Sequence, residues 1–96
     1  MEKVFWVYIM ARRKEGTLYT GLTSDLVQRV WQHKNSVFKR YTSRYGVDRL
    51  VWFELHEEFD SACDREKKIK RWRRAWKYAL IEERNPEWRD LYPDIL

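Results

Sequence analysis

Two phenols, a guanidinium and an imidazole fall within one short stretch of the chain. Tyr8 lies in Trp6-Val7-Tyr8 and Tyr19 in Tyr19-Thr20-Gly21, while Arg29 and His33 follow at a spacing that makes them i,i+4 neighbours on a helix. Further on, one carboxylate, Glu66, interrupts the basic run Arg65-Glu66-Lys67-Lys68-Ile69-Lys70-Arg71. Such groups can act together on a phosphodiester. The planar fork of an arginine donates two parallel hydrogen bonds to a phosphate. A histidine accepts or relays a proton near neutral pH. A phenol, with an unperturbed pKa of about 10, becomes a useful base only beside a cation or a proton acceptor. One glutamate can hold a magnesium-type cation, which fills its other positions with water and phosphate oxygens.

Each residue also has an ordinary reading. Opposed tyrosines in strands commonly pack as a core pair. Arg29 can be a solvated arginine, and Glu66 can pair with a neighbouring lysine or arginine. Asn85 precedes Pro86 and is a good helix terminator, so no chemical role follows from it alone. His56 and Cys63 read as structural.

The elements that must place these groups are legible from periodicity. Val4 to Met10 is a continuous apolar run rich in aromatic and β-branched residues, as in a strand buried on both faces and central in its sheet. Trp6, Tyr8 and Met10 share one face; Phe5, Val7 and Ile9 share the other. Thr17 to Gly21 forms the second strand. Pairing Met10 with Thr17 across the six-residue loop Ala11–Gly16 sets Tyr8 directly opposite Tyr19, with Cβ atoms roughly 4.5–5.5 Å apart. Ser24 or Asp25 caps a helix running to about Lys34, with Leu26, Val27, Val30 and Trp31 as its apolar stripe and Arg29 and His33 at the stripe's edge. Asn35 to Gly46 is a basic loop. Arg49 to His56 is the third strand. Asp60 or Ser61 caps a helix from about Ala62 to Arg71, on which Ala62, Glu66 and Ile69 share the inward face. A bend near Trp72–Arg74 leads to a third helix, about Ala75 to Arg84, stopped by Asn85-Pro86 because a residue before proline disfavours helical dihedrals. Trp88, Leu91 and Tyr92 in the tail pack back on the body. The order β-β-α-β-α-α describes an α+β fold, a small three-stranded antiparallel sheet flanked by helices, and 96 residues make one domain, 1–96.

Net charge is +5, which favours an anionic partner, nucleic acid before others. Seven of the ten residues from Arg65 to Arg74 are basic, a density that points Lys67, Lys68, Lys70 and Arg71 at phosphates. Lys39, Arg40 and Arg44, interleaved with Phe38, Tyr41 and Tyr45, form a second basic stretch whose aromatic rings can stack on unpaired bases. A single cysteine allows no internal disulfide and fits a reducing compartment, so a cytoplasmic location is expected. No membrane span or secretory leader is expected: the Val4–Met10 run is too short and lacks a small-residue cleavage site. The expected assembly is a monomer or weak dimer.

Taken in order, these positions resemble the GIY-YIG nuclease superfamily, in its small stand-alone branch. Trp6-Val7-Tyr8 stands for the first motif and Tyr19-Thr20-Gly21 for the second, with Trp6, Val7 and Thr20 departing from the family letters while the tyrosines and the last glycine remain. The resemblance implies a metal-dependent endonuclease acting on DNA, structure-selective, and leaving 5′-phosphate and 3′-hydroxyl ends. It implies that Glu66 holds one Mg2+ or Mn2+ ion, that Tyr8 helps deprotonate the attacking water with His33 as acceptor, and that Tyr19 positions water or phosphate. Arg29 would stabilise charge in the transition state, and Asn85 would orient the Glu66 region or the metal's water shell. Two readings from other classes stand beside it: a non-catalytic nucleic-acid-binding domain that keeps the fold, and a protein-interaction module of DNA repair or recombination. RNA is an alternative substrate.

Overall fold

The computed structural model describes residues 3–35 and 46–96. Three strands form the sheet: β1 (Phe5–Ala11), β2 (Leu18–Thr23) and β3 (Arg49–His56), in spatial order β2-β1-β3 with both pairings antiparallel. Helices α1 (Leu26–Lys34), α2 (Phe59–Arg71), α3 (Arg74–Arg84) and the short α4 (Tyr92–Ile95) complete the described chain. The order and α+β class are those expected from periodicity, with α4 added. Four residues with a proline in the first turn leave no period to detect.

The central strand is β1, because its apolar side chains alternate without a polar face. Val7 to Ala11 are wholly buried. Val7, Ile9 and Ala11 meet Ala62 and Ile69 of α2, Ile81 of α3 and Trp88 of the tail. Tyr8 and Met10 meet Leu26 and Val30 of α1 on the other face, where Tyr92 and Ile95 also pack. The sheet therefore carries one layer of helix on each side, and α2 lies against all three strands.

The expected hairpin register needs correction. Met10 faces Tyr19, not Thr17, and Tyr8 faces Gly21, not Tyr19. The loop has the expected six residues but spans 12–17. Glu15 turns with φ 58°, and the loop is closed by Arg12 N–H donating to the Thr17 carbonyl at 3.1 Å and Gly16 N–H to the Arg13 carbonyl at 3.0 Å. Moving the loop by one residue slides the pairing by two, so each side chain keeps its face. The two tyrosines remain on one face as diagonal neighbours.

A second correction concerns α1. Its buried positions are Leu26, Val30 and His33, whereas Val27 is 37% and Trp31 51% exposed. The imidazole takes the inner position that Trp31 was expected to share. Asp25 caps the helix by accepting from Gln28 N–H at 3.1 Å. No side chain caps α2, whose N-cap is Glu58. The Ser61 hydroxyl instead donates to the Glu58 carbonyl at 3.0 Å. Both Trp72 and Arg73 take extended ψ of 151°, which makes the expected bend and starts α3 at Arg74.

Opposite β2, the tail covers the outer edge of β3. The ladder jumps from Ile9↔Trp52 to Met10↔Leu50, so Val51 is the extra residue of a bulge. The Val51 carbonyl accepts from Asn85 Nδ2 at 3.2 Å. Leu50 N–H donates to Asp90 at 3.1 Å, and the Leu50 carbonyl accepts from Leu91 N–H at 2.7 Å. Pairing the open backbone groups of an edge strand in this way removes a template for aggregation.

Candidate active site

Tyr8 rises from the central strand and crosses the outer strand β2 at Gly21. A Cβ on Gly21 would lie 2.6 Å from both Cζ and Oη of Tyr8, a distance no side chain tolerates. The last glycine of the second motif is thus the clearance that lets the phenol pass. A glycine inside a strand often marks such a close approach, and that was the available signal.

Beyond Gly21 the Tyr8 hydroxyl meets α1. Oη lies 2.9 Å from His33 Nε2, and this hydrogen bond is buried. The Tyr19 ring completes the group, with centroids 5.0 Å from His33 and 6.3 Å from Tyr8. Tyr8, Tyr19 and His33 therefore form one aromatic cluster, assembled from β1, β2 and α1.

Two charged groups, Arg29 and Glu66, act electrostatically on this cluster. Burial raises the Tyr8 pKa well above the ordinary phenol value, and Tyr19 and Glu66 push in the same direction. The charge and hydrogen bonding of Arg29 pull the other way. Burial, aided by the Arg29 charge, lowers His33 to about 4. At neutral pH both members of the Tyr8–His33 pair are therefore uncharged. Arg29 also lines a polar pocket of about 230 Å³ at the start of α1, with Thr23, Asp25, Gln28 and Gln32 around it.

Glu66 sits on the face of α2 that carries buried Ala62 and Ile69, and its side chain is only 20% exposed. Its field reaches Tyr8. It also pairs with Lys70 at 3.2 Å, on the adjacent turn. Lys67, Lys68 and Arg71 are exposed on the same helix, as is most of Lys70. Among the described residues no group of three His, Cys, Asp or Glu side chains is gathered for a metal. A half-shielded glutamate beside a phenol still suits a hard cation that takes most of its ligands from water and phosphate.

Asn85 lies elsewhere in the hydrogen-bond network. Its Nδ2 donates to the carbonyls of Val51 at 3.2 Å and Arg89 at 2.8 Å, and its Oδ1 accepts from Arg89 N–H at 3.0 Å. His56 bridges Glu54 and Ser61, and Cys63 is a half-buried free thiol. Lys39, Arg40 and Arg44 lie outside the described residues, as do Phe38, Tyr41 and Tyr45. One further clamp bears on the site. Lys34, the last residue of α1, pairs with Asp90 of the tail and donates to the Asp48 carbonyl, which ties down the helix that carries Arg29 and His33.

Comparison with known proteins identifies the family of the fold. The family model described as the GIY-YIG catalytic domain matches residues 4–79. A UPF0213 protein of Clostridium perfringens is 38% identical over 83% of this chain and 85% of its own length. A UPF0213 protein of Staphylococcus saprophyticus is 35% identical over 81% of this chain and 94% of its own. The solution NMR structure of a UPF0213 protein from Bacillus halodurans superposes with a TM-score of 0.57 at 28% identity, covering 91% of this chain and 92% of that one. The chain belongs to the GIY-YIG nuclease family, and its relatives are the small UPF0213 proteins.

Proposed function

We propose that this protein hydrolyses phosphodiester bonds in DNA, choosing its substrate by shape, and that the reaction needs one divalent cation held by Glu66. The observation that carries the reading is the buried 2.9 Å hydrogen bond between Tyr8 Oη and His33 Nε2. In the tautomer we assign, the phenol donates to Nε2. An attacking water then gives its proton to the Tyr8 oxygen while Tyr8 passes its own proton to His33. The free protein holds this relay in its resting state, because burial first, and then the Arg29 charge, makes His33 a weak base. A phosphate paired with Arg29 offsets that positive charge, so His33 becomes a better acceptor when substrate is bound. Arg29 also stabilises the growing charge on the phosphate. Tyr19, ringed against His33, positions the water or the phosphate. The cation, Mg2+ or Mn2+, would supply charge stabilisation for the phosphate and the leaving oxygen. Asn85 acts at a distance, through the tail. Water attack at phosphorus with loss of the 3′ oxygen leaves 5′-phosphate and 3′-hydroxyl ends.

The test uses flapped, branched and single-stranded DNA with magnesium, manganese or chelator. Glu66→Gln, which keeps the shape and removes the charge, should abolish metal-dependent cleavage while the fold persists. Tyr8→Phe should lower turnover by about 10²-fold or more with little change in DNA affinity. Full cleavage by either variant removes that residue from the mechanism. One observation favours the binding-only reading: the Lys70–Glu66 pair already neutralises the carboxylate. Absence of cleavage with every substrate and metal, together with firm DNA binding, would establish that reading instead.

A further inference from the structure

Between the β1–β2 loop and the first turn of α3 lies a pocket of about 310 Å³, lined by Thr17, Leu18, Arg74 and Lys77. We propose that it binds a backbone phosphate of the same nucleic-acid strand, a few nucleotides from the one that is cleaved. The proposal rests on the nuclease reading and adds a second anchoring point to it.

The pocket gathers positive charge without balancing it. Arg74 and Lys77 are i,i+3 neighbours on α3, where like charges repel. They stand at the positive end of the helix, whose first turn carries no acidic residue. Among the described residues neither forms an ion pair with a carboxylate. Burial, and then the charge of Arg74, lowers the pKa of the Lys77 ammonium. An anion in the pocket would relieve both effects. The walls are already fixed, because the Tyr78 hydroxyl donates to the Glu15 carbonyl at 2.7 Å and so ties α3 to the loop. Arg12, Arg13 and Lys14 are exposed on that loop and, against the one exposed carboxylate of Glu15, extend the basic surface.

Position selects a phosphodiester over an isolated anion. Thr17 and Leu18 lead directly into Tyr19, and Gly21, where Tyr8 crosses, follows on the same strand. At about 3.3 Å per residue, Leu18 lies roughly 3 Å from Tyr19 and roughly 10 Å from Gly21 along β2. The pocket lies on the α3 face of the sheet and the Tyr8 cluster on the α1 face, so a strand that wraps over the β2 edge, with a charge about every 3.4 Å of helix axis, reaches both places.

The test is a set of single-stranded DNAs in which one phosphate at a time is replaced by an uncharged methylphosphonate, with binding measured under chelator. The unaltered protein should lose affinity at two separated positions, one at the cleavage site and one a few nucleotides away. The double variant Arg74→Gln, Lys77→Gln should bind about tenfold more weakly and lose sensitivity only at the distant position. Its log–log salt slope should fall by about 0.7 for the one phosphate released. Its thermal stability should match or exceed that of the unaltered protein, since a repulsive pair has been removed. Arg74→Lys, which keeps the charge, should retain the two-position pattern. Unchanged affinity and slope in the double variant, with cleavage by the unaltered protein, overturn the pocket and leave the nuclease reading standing. An unaltered protein that binds no nucleic acid overturns both.

Discussion

At the scale of single residues, the burial of His33 should leave a signature in stability as well as in catalysis. Burial and Arg29 together lower the His33 pKa from 6.5 to about 4. A base with a depressed pKa in the folded state contributes stability above its unfolded value, and that contribution is lost as pH falls toward the folded value. The window is therefore pH 6.5 down to about 4, and the loss is on the order of 3 kcal/mol. Thermal melts of the unaltered protein should show a steep fall across that window. His33→Gln keeps a polar group for Tyr8 and cannot protonate, so its melts should be flatter there. Equal slopes in the two proteins would mean that His33 titrates normally and is open to water. The residue types at this site were all visible in the sequence. What holds them was not: Gly21 matters through a 2.6 Å approach that depends on a register the loop alone did not fix.

At the scale of elements, legibility followed chemical punctuation. Strand β3 runs from Arg49 to His56 as expected, because a basic stretch precedes it and an acidic turn follows. The α2–α3 break fell in the expected Trp72–Arg74 stretch, although the apolar spacing of Ile69, Trp72 and Trp76 runs on across it. The β1–β2 register was misread by two, because an even slide preserves every face and leaves the hydrophobic pattern unchanged. The inner face of α1 was misread because a polar imidazole occupies a position that periodicity assigns to an apolar ring. Such local breaches of pattern are expected at functional sites. The corrected register makes its own prediction. Gly21→Ala places a methyl group against the Tyr8 ring, and Tyr8 is fully buried between α1 and the sheet. The cost should be about 1–3 kcal/mol of stability, typical of overpacking. Measured in a Tyr8→Ala background, Gly21→Ala should cost far less, since the obstructing ring is gone. Additive losses in the double variant would show that Tyr8 does not cross the strand at Gly21.

At the scale of the whole molecule, both outer strands are accounted for differently. The β2 edge is the side that carries the candidate site and the basic pocket, while the tail seals the β3 edge. Trp88 anchors that seal. It is fully buried with φ 57°, a backbone conformation unusual for a bulky residue, and its indole N–H donates to Glu82 at 2.8 Å. Asn85 completes the seal by serving the bulged Val51 carbonyl and both backbone groups of Arg89. The same tail holds α1 through Asp90 and Lys34 and packs Tyr92 and Ile95 beneath the Tyr8 face. Asn85 is thus positioned to influence the site by fixing the tail rather than by touching substrate or metal. Asn85→Ala would strand the buried Val51 carbonyl, at roughly 1–3 kcal/mol, and would also remove the two part-buried bonds to Arg89, whose backbone groups can turn to water at smaller cost. Thermal stability should drop by about 2–4 kcal/mol, and cleavage measured well below the melting temperature should fall far less than in Glu66→Gln. Asn85→Asp should retain the Arg89 N–H bond but turn a buried carboxylate oxygen toward the Val51 and Arg89 carbonyls, so at neutral pH it should be no more stable than Asn85→Ala. Abolished cleavage with unchanged melting would reverse the assignment and place Asn85 among the groups that act at the phosphate.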